Sequence, residues 1–385
     1  MTEKESALYS HYIIDGVRMD MTPADLLDEC MQYEDSSIHS RYSDIIDEST
    51  EPPLTSFTYD EGNEDEYLRQ TIESSSEERE FRMLYPEHFT RLQIADALLS
   101  RLWSKGHFKL GNLKLWAQWE WNTRPIGNMS AFYRSVSSAS EYIYELGVEL
   151  QDYLFIEGDG VSNVKFYAWL DDEHDKSSTE IHDESIALFR SSPYESRHPW
   201  ISEERECPST MTDDPESWLI YIPFDTCSFK LGGSLLTQTN GHNGGMAPDI
   251  KDPDYFIDCY EVVRELVEDG VIMSGINATD GGLITAAAEM CGKYGMDIDI
   301  KGIMSSYQDA GRSRILFGEV PGIIIQISDE NYDYVDSQLL LQDIAYYPIG
   351  RPSLNHSGIK ISEDRKNGVA DILAALLNQA SEGED

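Results

Sequence analysis

Basic side chains are scarce in this sequence: 29 Lys and Arg face 71 Asp and Glu, for a net charge of −42 over 385 residues. Such a field repels nucleic acid and anionic membrane surfaces at long range, so neither is expected as a partner. A nucleotide would need Mg²⁺ or local backbone N–H groups to offset the same repulsion. Cysteine is sparse as well. Cys30, Cys207, Cys227, Cys259 and Cys291 are odd in number, scattered, and form no C-x-x-C pair. That argues against a disulfide framework or zinc knuckle and fits a reducing, cytoplasmic setting. The nine histidines form no H-E-x-x-H or H-x-x-x-H spacing, so no transition-metal site is expected. No apolar run approaches the ~18 residues of a membrane span. The opening MTEKESALYS lacks the basic-then-apolar pattern of a secretory signal.

What is present supports packed cores. The chain is 40% hydrophobic and 11% aromatic, and its length accommodates two domains. Residues 1–80 carry 22 acidic and 5 basic side chains. Residues 1–54 therefore read as an acidic N-terminal extension, a mobile arm with one short helix where Thr22-Pro23 offers a start signal. Residues 55–170 read as a first domain. Its expected elements are a helix over Phe89–Leu102, a strand over Lys114–Trp121, a helix over Ala131–Leu146 stopped by Gly147, and a strand over Val164–Trp169. Residues 171–217 are acidic and rich in Ser and Pro, a connecting segment with one strand-like island at Ser185–Phe189. Residues 218–357 form a second domain. Strands are expected over Trp218–Pro223, Gly270–Ser274 and Gly322–Ile327, with helices over Asp254–Asp269, Leu283–Tyr294 and Tyr332–Leu341. Residues 358–385 are a tail with a helix over Gly368–Gln379. Strands and helices alternate without a clean βαβ series, so the class is α+β.

Chemistry has few places to sit. In Asn277-Ala-Thr-Asp-Gly-Gly-Leu283, two glycines at a strand-to-helix junction let backbone N–H groups approach an anion, and the helix terminus adds positive potential. Thr279, Asp280, Gly281 and Gly282 are thus candidate phosphate contacts, and Asn277 adds an oxygen suited to Mg²⁺. A capped helix after a tight turn explains the same residues. Asp96 and Ser100 share one helix face and offer two oxygens to a cation, or simply a solvated face. Glu319 is an acid beside a core strand, either a metal ligand or a strand-edge residue. Asn240-Gly-His-Asn-Gly-Gly245 lacks the Lys-Ser/Thr ending of a phosphate-binding loop and reads as a turn. No nucleophile–base arrangement is visible.

The order of these strings is more specific than any one of them. LGGSLLTQTNGHNGGMAPDIKDPDYFIDCYEVVRELVEDGVIMSGINATDGGLITAAAEM (Leu231–Met290) and LFGEVPGIIIQI (Leu316–Ile327) resemble the C-terminal part of long phosphoribosylformylglycinamidine synthase. That family places a Leu-Gly-Gly/Ala-Ser strand, a loop ending in Pro-Asp, a long helix and a Ser-Asp-Gly-Gly-Leu turn in the same series. SSSEEREFRMLYPEHFTRLQIADALLS (Ser74–Ser100), KLWAQW (Lys114–Trp119) and NMSAFYRSVSSASEYIYELGV (Asn128–Val148) resemble the family's preceding segments in order. The resemblance covers residues 70–350. It implies an aminoimidazole ribonucleotide synthase-like architecture, a mixed α/β domain followed by an α+β domain. It also implies ATP or ADP with Mg²⁺ as cofactors, and an ATP-dependent ligase that forms an amidine in purine biosynthesis. A homodimer or a complex with other synthase-type subunits is implied too, since the glutaminase and first half of the long synthases have no counterpart here.

Departures fall on the chemistry. The family's metal-binding helix Glu and Asn correspond to Asp96 and Ser100. Its Val-Gly-Lys-Asp-Ser turn corresponds to Glu157-Gly158-Asp159-Gly160-Val161, which exchanges a phosphate-facing Lys for Asp. The turn's His and first Asp correspond to Ile276 and Asn277, while Asp280, Gly281, Gly282 and Glu319 remain. Two functions stay open: a Mg-nucleotide-binding synthase half with weakened or lost catalysis, or a non-catalytic interaction or assembly protein on the same fold, as among viral relatives of the synthase.

Overall fold

The computed structural model describes residues 6–31, 59, 62–75, 80–125, 127–170, 205–242, 244–308 and 310–361. The strand-like island at 185–189 and the tail helix at 368–379 lie outside them. The helices are α1 (Pro23–Met31), α2 (Glu64–Ser75), α3 (Pro86–Leu102), α4 (Asn128–Glu145), α5 (Leu235–Thr239), α6 (Pro253–Glu268), α7 (Gly282–Cys291), α8 (Lys301–Ser306), α9 (Arg312–Phe317) and α10 (Tyr332–Leu341). The strands are β1 (Ile13–Ile14), β2 (Val17–Arg18), β3 (Leu113–Asn122), β4 (Glu149–Gly158), β5 (Asn163–Leu170), β6 (Trp218–Pro223), β7 (Ile272–Asn277), β8 (Gly295–Ile298), β9 (Gly322–Ile327), β10 (Tyr347–Ser353) and β11 (Gly358–Ile361). The α+β class holds.

Two sheets carry the architecture. β4-β3-β5 is a three-stranded sheet in which β3 runs parallel to β4 and antiparallel to β5. A parallel neighbour needs a crossover, and α4 supplies it between β3 and β4. The second sheet has the order β11-β8-β10-β6-β9-β7, antiparallel except for β11 beside β8. Its central strands explain their own composition. WLIYIP and GIIIQI do not alternate apolar with polar because both faces are covered. Ile220, Ile222, Ile323 and Ile325 enter one core with α6, α3 and α4, whereas Leu219, Tyr221 and Ile324 enter another with α7 and α9. Gln326 is the polar residue inside β9 and is fully buried. Its Oε1 accepts from Thr212 N–H (2.8 Å) and Ser274 Oγ (2.9 Å), and its Nε2 donates to Ser217 Oγ at 2.7 Å. The amide is therefore satisfied, as burial requires.

α3 lies against β5, α4, α6 and β7. Enclosure on several sides buries Phe89, Leu92, Ile94, Ala95, Leu98, Leu99 and Leu102. The stripe it leaves, Gln93, Asp96 and Ser100, falls at the three- and four-residue spacings of one helix face.

Two expectations change. Residues 6–31 are not a mobile arm: α1 packs on α4 and β4, burying Leu26, Leu27 and Cys30, and Ser140 Oγ donates to the Leu26 carbonyl at 3.0 Å. The Leu-Gly-Gly-Ser string is not a strand but a turn into α5, whose N-cap is Ser234. The turn is dictated by close approach, because a Cβ on Gly232 would stand 2.3 Å from the Met246 carbonyl carbon. Beyond these, β4 and α2 form from segments with no clear apolar period. β4 is half-exposed along most of its length, and α2 carries three acids in its first turn and rests Tyr67 and Leu68 on the second core.

Candidate functional site

A cleft of ≈ 390 Å³ opens between α3 and the β7–α7 junction, lined among others by Asp96, Ser100, Arg205, Asn277, Thr279 and Asp280. It brings together five candidates that the sequence separates by some 180 positions. Gly275 makes this possible: a Cβ there would meet the Trp103 ring at 2.2 Å. The ring packs on β7 instead and reaches the next inward polar residue, Asn277.

Within the cleft the polar groups are directed at one another. Trp103 Nε1 donates to Asn277 Oδ1 at 2.8 Å. Asn277 Nδ2 donates to Asp96 Oδ1 (3.0 Å) and Ser100 Oγ (3.0 Å) and lies 3.3 Å from the Asp96 carbonyl oxygen. Thr279 Oγ1 donates to Asp96 Oδ1 at 2.7 Å, and Ser100 Oγ donates to the Asp96 carbonyl at 2.8 Å. The cleft is acidic, with Asp96, Asp280 and Glu289 around Arg205, the single cation among the described residues that line it. Arg205 is itself engaged. It donates to the Gly275 carbonyl at 2.5 Å and the Cys207 carbonyl at 3.0 Å, and its guanidinium sits 5.7 Å from the Trp103 ring centroid. Burial pulls its pKa below the ordinary arginine value.

The glycine turn expected to cradle phosphate has both glycine N–H groups engaged within the protein. Gly281 and Gly282 have φ of +73° and +74°, the left-handed region that favours glycine. Their N–H groups are taken internally: Gly281 donates to Glu319 Oε1 at 2.8 Å and Gly282 to the Thr279 carbonyl at 3.2 Å. A Cβ on Gly282 would lie 2.8 Å from the Leu316 carbonyl oxygen, so close packing on α9 accounts for the second glycine.

Glu319 is not in the cleft. It is fully buried behind the turn, paired through both oxygens with the equally buried Arg82. Its Oε1 also accepts from Leu235 N–H at 2.8 Å. One carboxylate thus ties the α7 turn, the start of α5 and the segment before α3. His88 supports the same point by contacting the Glu319 carbonyl through Nε2 at 2.9 Å, and burial pushes its pKa down to about 4. The neutral imidazole is then the donor. Arg82, His88, Trp103 and Arg205 escaped the sequence reading. A buried acid demands a cation, yet nothing local to Glu319 points to an arginine 237 positions away.

The Mg²⁺ implied at Asp96, Ser100, Asn277 and Glu319 does not fit this arrangement. The oxygens around Asp96 already receive an amide nitrogen, Asn277 Oδ1 receives an indole N–H, and Glu319 is enclosed with Arg82. A hard cation needs about six oxygens at ~2.1 Å, free of competing donors. Among the described residues no group of three or more His, Cys, Asp or Glu is placed to hold a metal ion. The Glu157–Val161 turn does not line the cleft. Among the described residues no helix is long and apolar enough to cross a membrane.

No family model matches the chain. An Arabidopsis thaliana protein described as probable phosphoribosylformylglycinamidine synthase, chloroplastic/mitochondrial, is 26% identical over 275 residues, which cover 70% of this chain and 18% of that protein. The chain therefore spans under a fifth of the length of this curated relative. The solved structure of T. maritima PurL complexed with FGAR matches with a TM-score of 0.51 at 10% identity, covering 74% of this chain and 42% of its own. T. maritima PurL complexed with AMPPCP gives a TM-score of 0.48 at 10% identity, covering 74% and 40%. With two sheets in this arrangement and the collinear strings of the synthase, the chain is a divergent, synthase-like protein with the aminoimidazole ribonucleotide synthase-like fold.

Proposed function

We propose that this protein keeps the synthase architecture without ATP-dependent amidine formation in its own cleft. In this reading it serves as an interaction or assembly subunit, with a second copy or with other synthase-type chains. The observation that carries this is the closed hydrogen-bond network of Asp96, Ser100, Asn277, Thr279 and Trp103. Groups that would meet Mg²⁺ and phosphate meet each other. The charge balance points the same way: among the described lining residues, three carboxylates against one engaged arginine repel a polyphosphate.

The second reading, a surviving Mg-nucleotide site, is favoured by the size of the cleft and by its place at the amino end of α7, where the helix dipole attracts anions. Titration calorimetry with ATP or ADP and MgCl₂ separates the two. The first reading expects no binding heat at millimolar nucleotide and no amidine from ammonia and ATP. Micromolar binding abolished by Asp96→Ala, or measurable turnover, overturns it.

A further inference from the structure

At Asp96 and Ser100 the disagreement between the implied cation and the cleft has one identifiable cause. The Asn277 amide nitrogen sits among three oxygens: Asp96 Oδ1 at 3.0 Å, Ser100 Oγ at 3.0 Å and the Asp96 carbonyl at 3.3 Å. Its orientation is fixed by chemistry. Turning the amide over would set its NH₂ against the Trp103 indole N–H and its carbonyl against the Asp96 carboxylate, donor on donor and acceptor on acceptor. Thr279 Oγ1 closes the same Asp96 oxygen from another side at 2.7 Å. The amide hydrogens thus occupy the ground a cation would take, and they carry no formal charge that phosphate could use.

We infer that Asn277 is the residue that excludes divalent cations from this cleft, its Nδ2 group standing in the oxygen nest of Asp96 and Ser100. The inference deepens the non-catalytic reading and rests on it. The side chain acts by replacement rather than by collapse of the site, so the nest itself is intact. An aspartate at position 277 would keep an oxygen for Trp103 Nε1 and set its other oxygen against Asp96 Oδ1 at the present N–O distance. Two carboxylate oxygens that close demand a shared proton or a cation. At pH 8, where a shared proton is scarce, they would take the cation.

The test titrates Mn²⁺ alone, without nucleotide, into wild type, Asn277→Asp and the exchange variant D96N/N277D, read by Mn²⁺ electron paramagnetic resonance and by thermal unfolding. Wild type is expected to show no saturable Mn²⁺ binding in the millimolar range and no shift in its midpoint. Asn277→Asp is expected to bind Mn²⁺ ~10-fold or more tightly than wild type, with a Mn²⁺-dependent rise in midpoint. If this variant folds only with Mn²⁺ present, that outcome supports the inference equally. The exchange variant restores one amide and one carboxylate and should lose the Mn²⁺ dependence while remaining folded. Saturable binding to wild type that Asp96→Asn abolishes overturns the inference. So does an Asn277→Asp protein indifferent to Mn²⁺, whether folded or not. Either failure differs from that of the non-catalytic reading, which would show as nucleotide binding to wild type in calorimetry.

Discussion

The Arg82–Glu319 pair offers the sharpest quantitative test, because one carboxylate is asked to hold three separate segments. Glu319→Gln keeps an oxygen acceptor for the N–H groups of Leu235 and Gly281 and removes the charge opposite Arg82. Both side chains of the pair are almost wholly buried, at 2% and 0% relative exposure, so water cannot take over the neutralisation. Breaking a buried pair by removing one partner costs about 3–5 kcal/mol. Arg82→Met should cost a similar amount for the mirror-image reason. The variant R82M/E319Q leaves neither charge stranded, so it should be more stable than the sum of the two losses by ~2 kcal/mol or more. Urea unfolding of the four proteins, with a stabilising osmolyte if a single variant is partly unfolded, gives the cycle. A loss under ~1 kcal/mol for Glu319→Gln, or additivity within ~0.5 kcal/mol, would refute the clasp.

Two further expectations follow from other buried groups. His88 has its pKa lowered from 6.5 to about 4, chiefly by desolvation, so the unfolded chain binds a proton more readily than the folded one between those values. Stability from this group is complete above pH 6.5 and drains away as pH falls toward 4, by ~3 kcal/mol in total. Urea midpoints measured from pH 7 to pH 5 should therefore fall less steeply for His88→Gln than for wild type, and equal slopes would count against a neutral buried imidazole. Gln326→Leu should destabilise by ~2–3 kcal/mol in chemical denaturation, because it strands Thr212 N–H and the Ser274 hydroxyl and removes the donor to Ser217 Oγ. A neutral result would mean that water reaches the back of β9.

Helices and buried strands were readable where the pattern is strong. Trp218–Pro223, Gly322–Ile327 and Tyr332–Leu341 fall on their expected boundaries, since continuous apolar runs and helical stripes are properties of the local chain. β4 and α2 were not, because a half-exposed strand and an acidic helix keep no period of their own and are selected by what they pack on. The cleft was legible as a set of names. Asp96, Ser100, Asn277, Thr279 and Asp280 were candidates from spacing and resemblance, and they do converge. Their engagement with one another was not legible, because it depends on Trp103 crossing Gly275 to reach Asn277.

The sequence by itself determined the α+β class, the likeness to the synthase and the acidic surface, all of which are carried by composition, local periodicity and the order of short strings. Only the tertiary structure decided what the acids do. Whether Glu319 faces a ligand or a buried arginine, and whether the oxygens around Asp96 hold a cation or an amide, turns on contacts between residues 174 to 237 positions apart. Such contacts are set by how the two sheets and α3 pack together, and no local pattern encodes them.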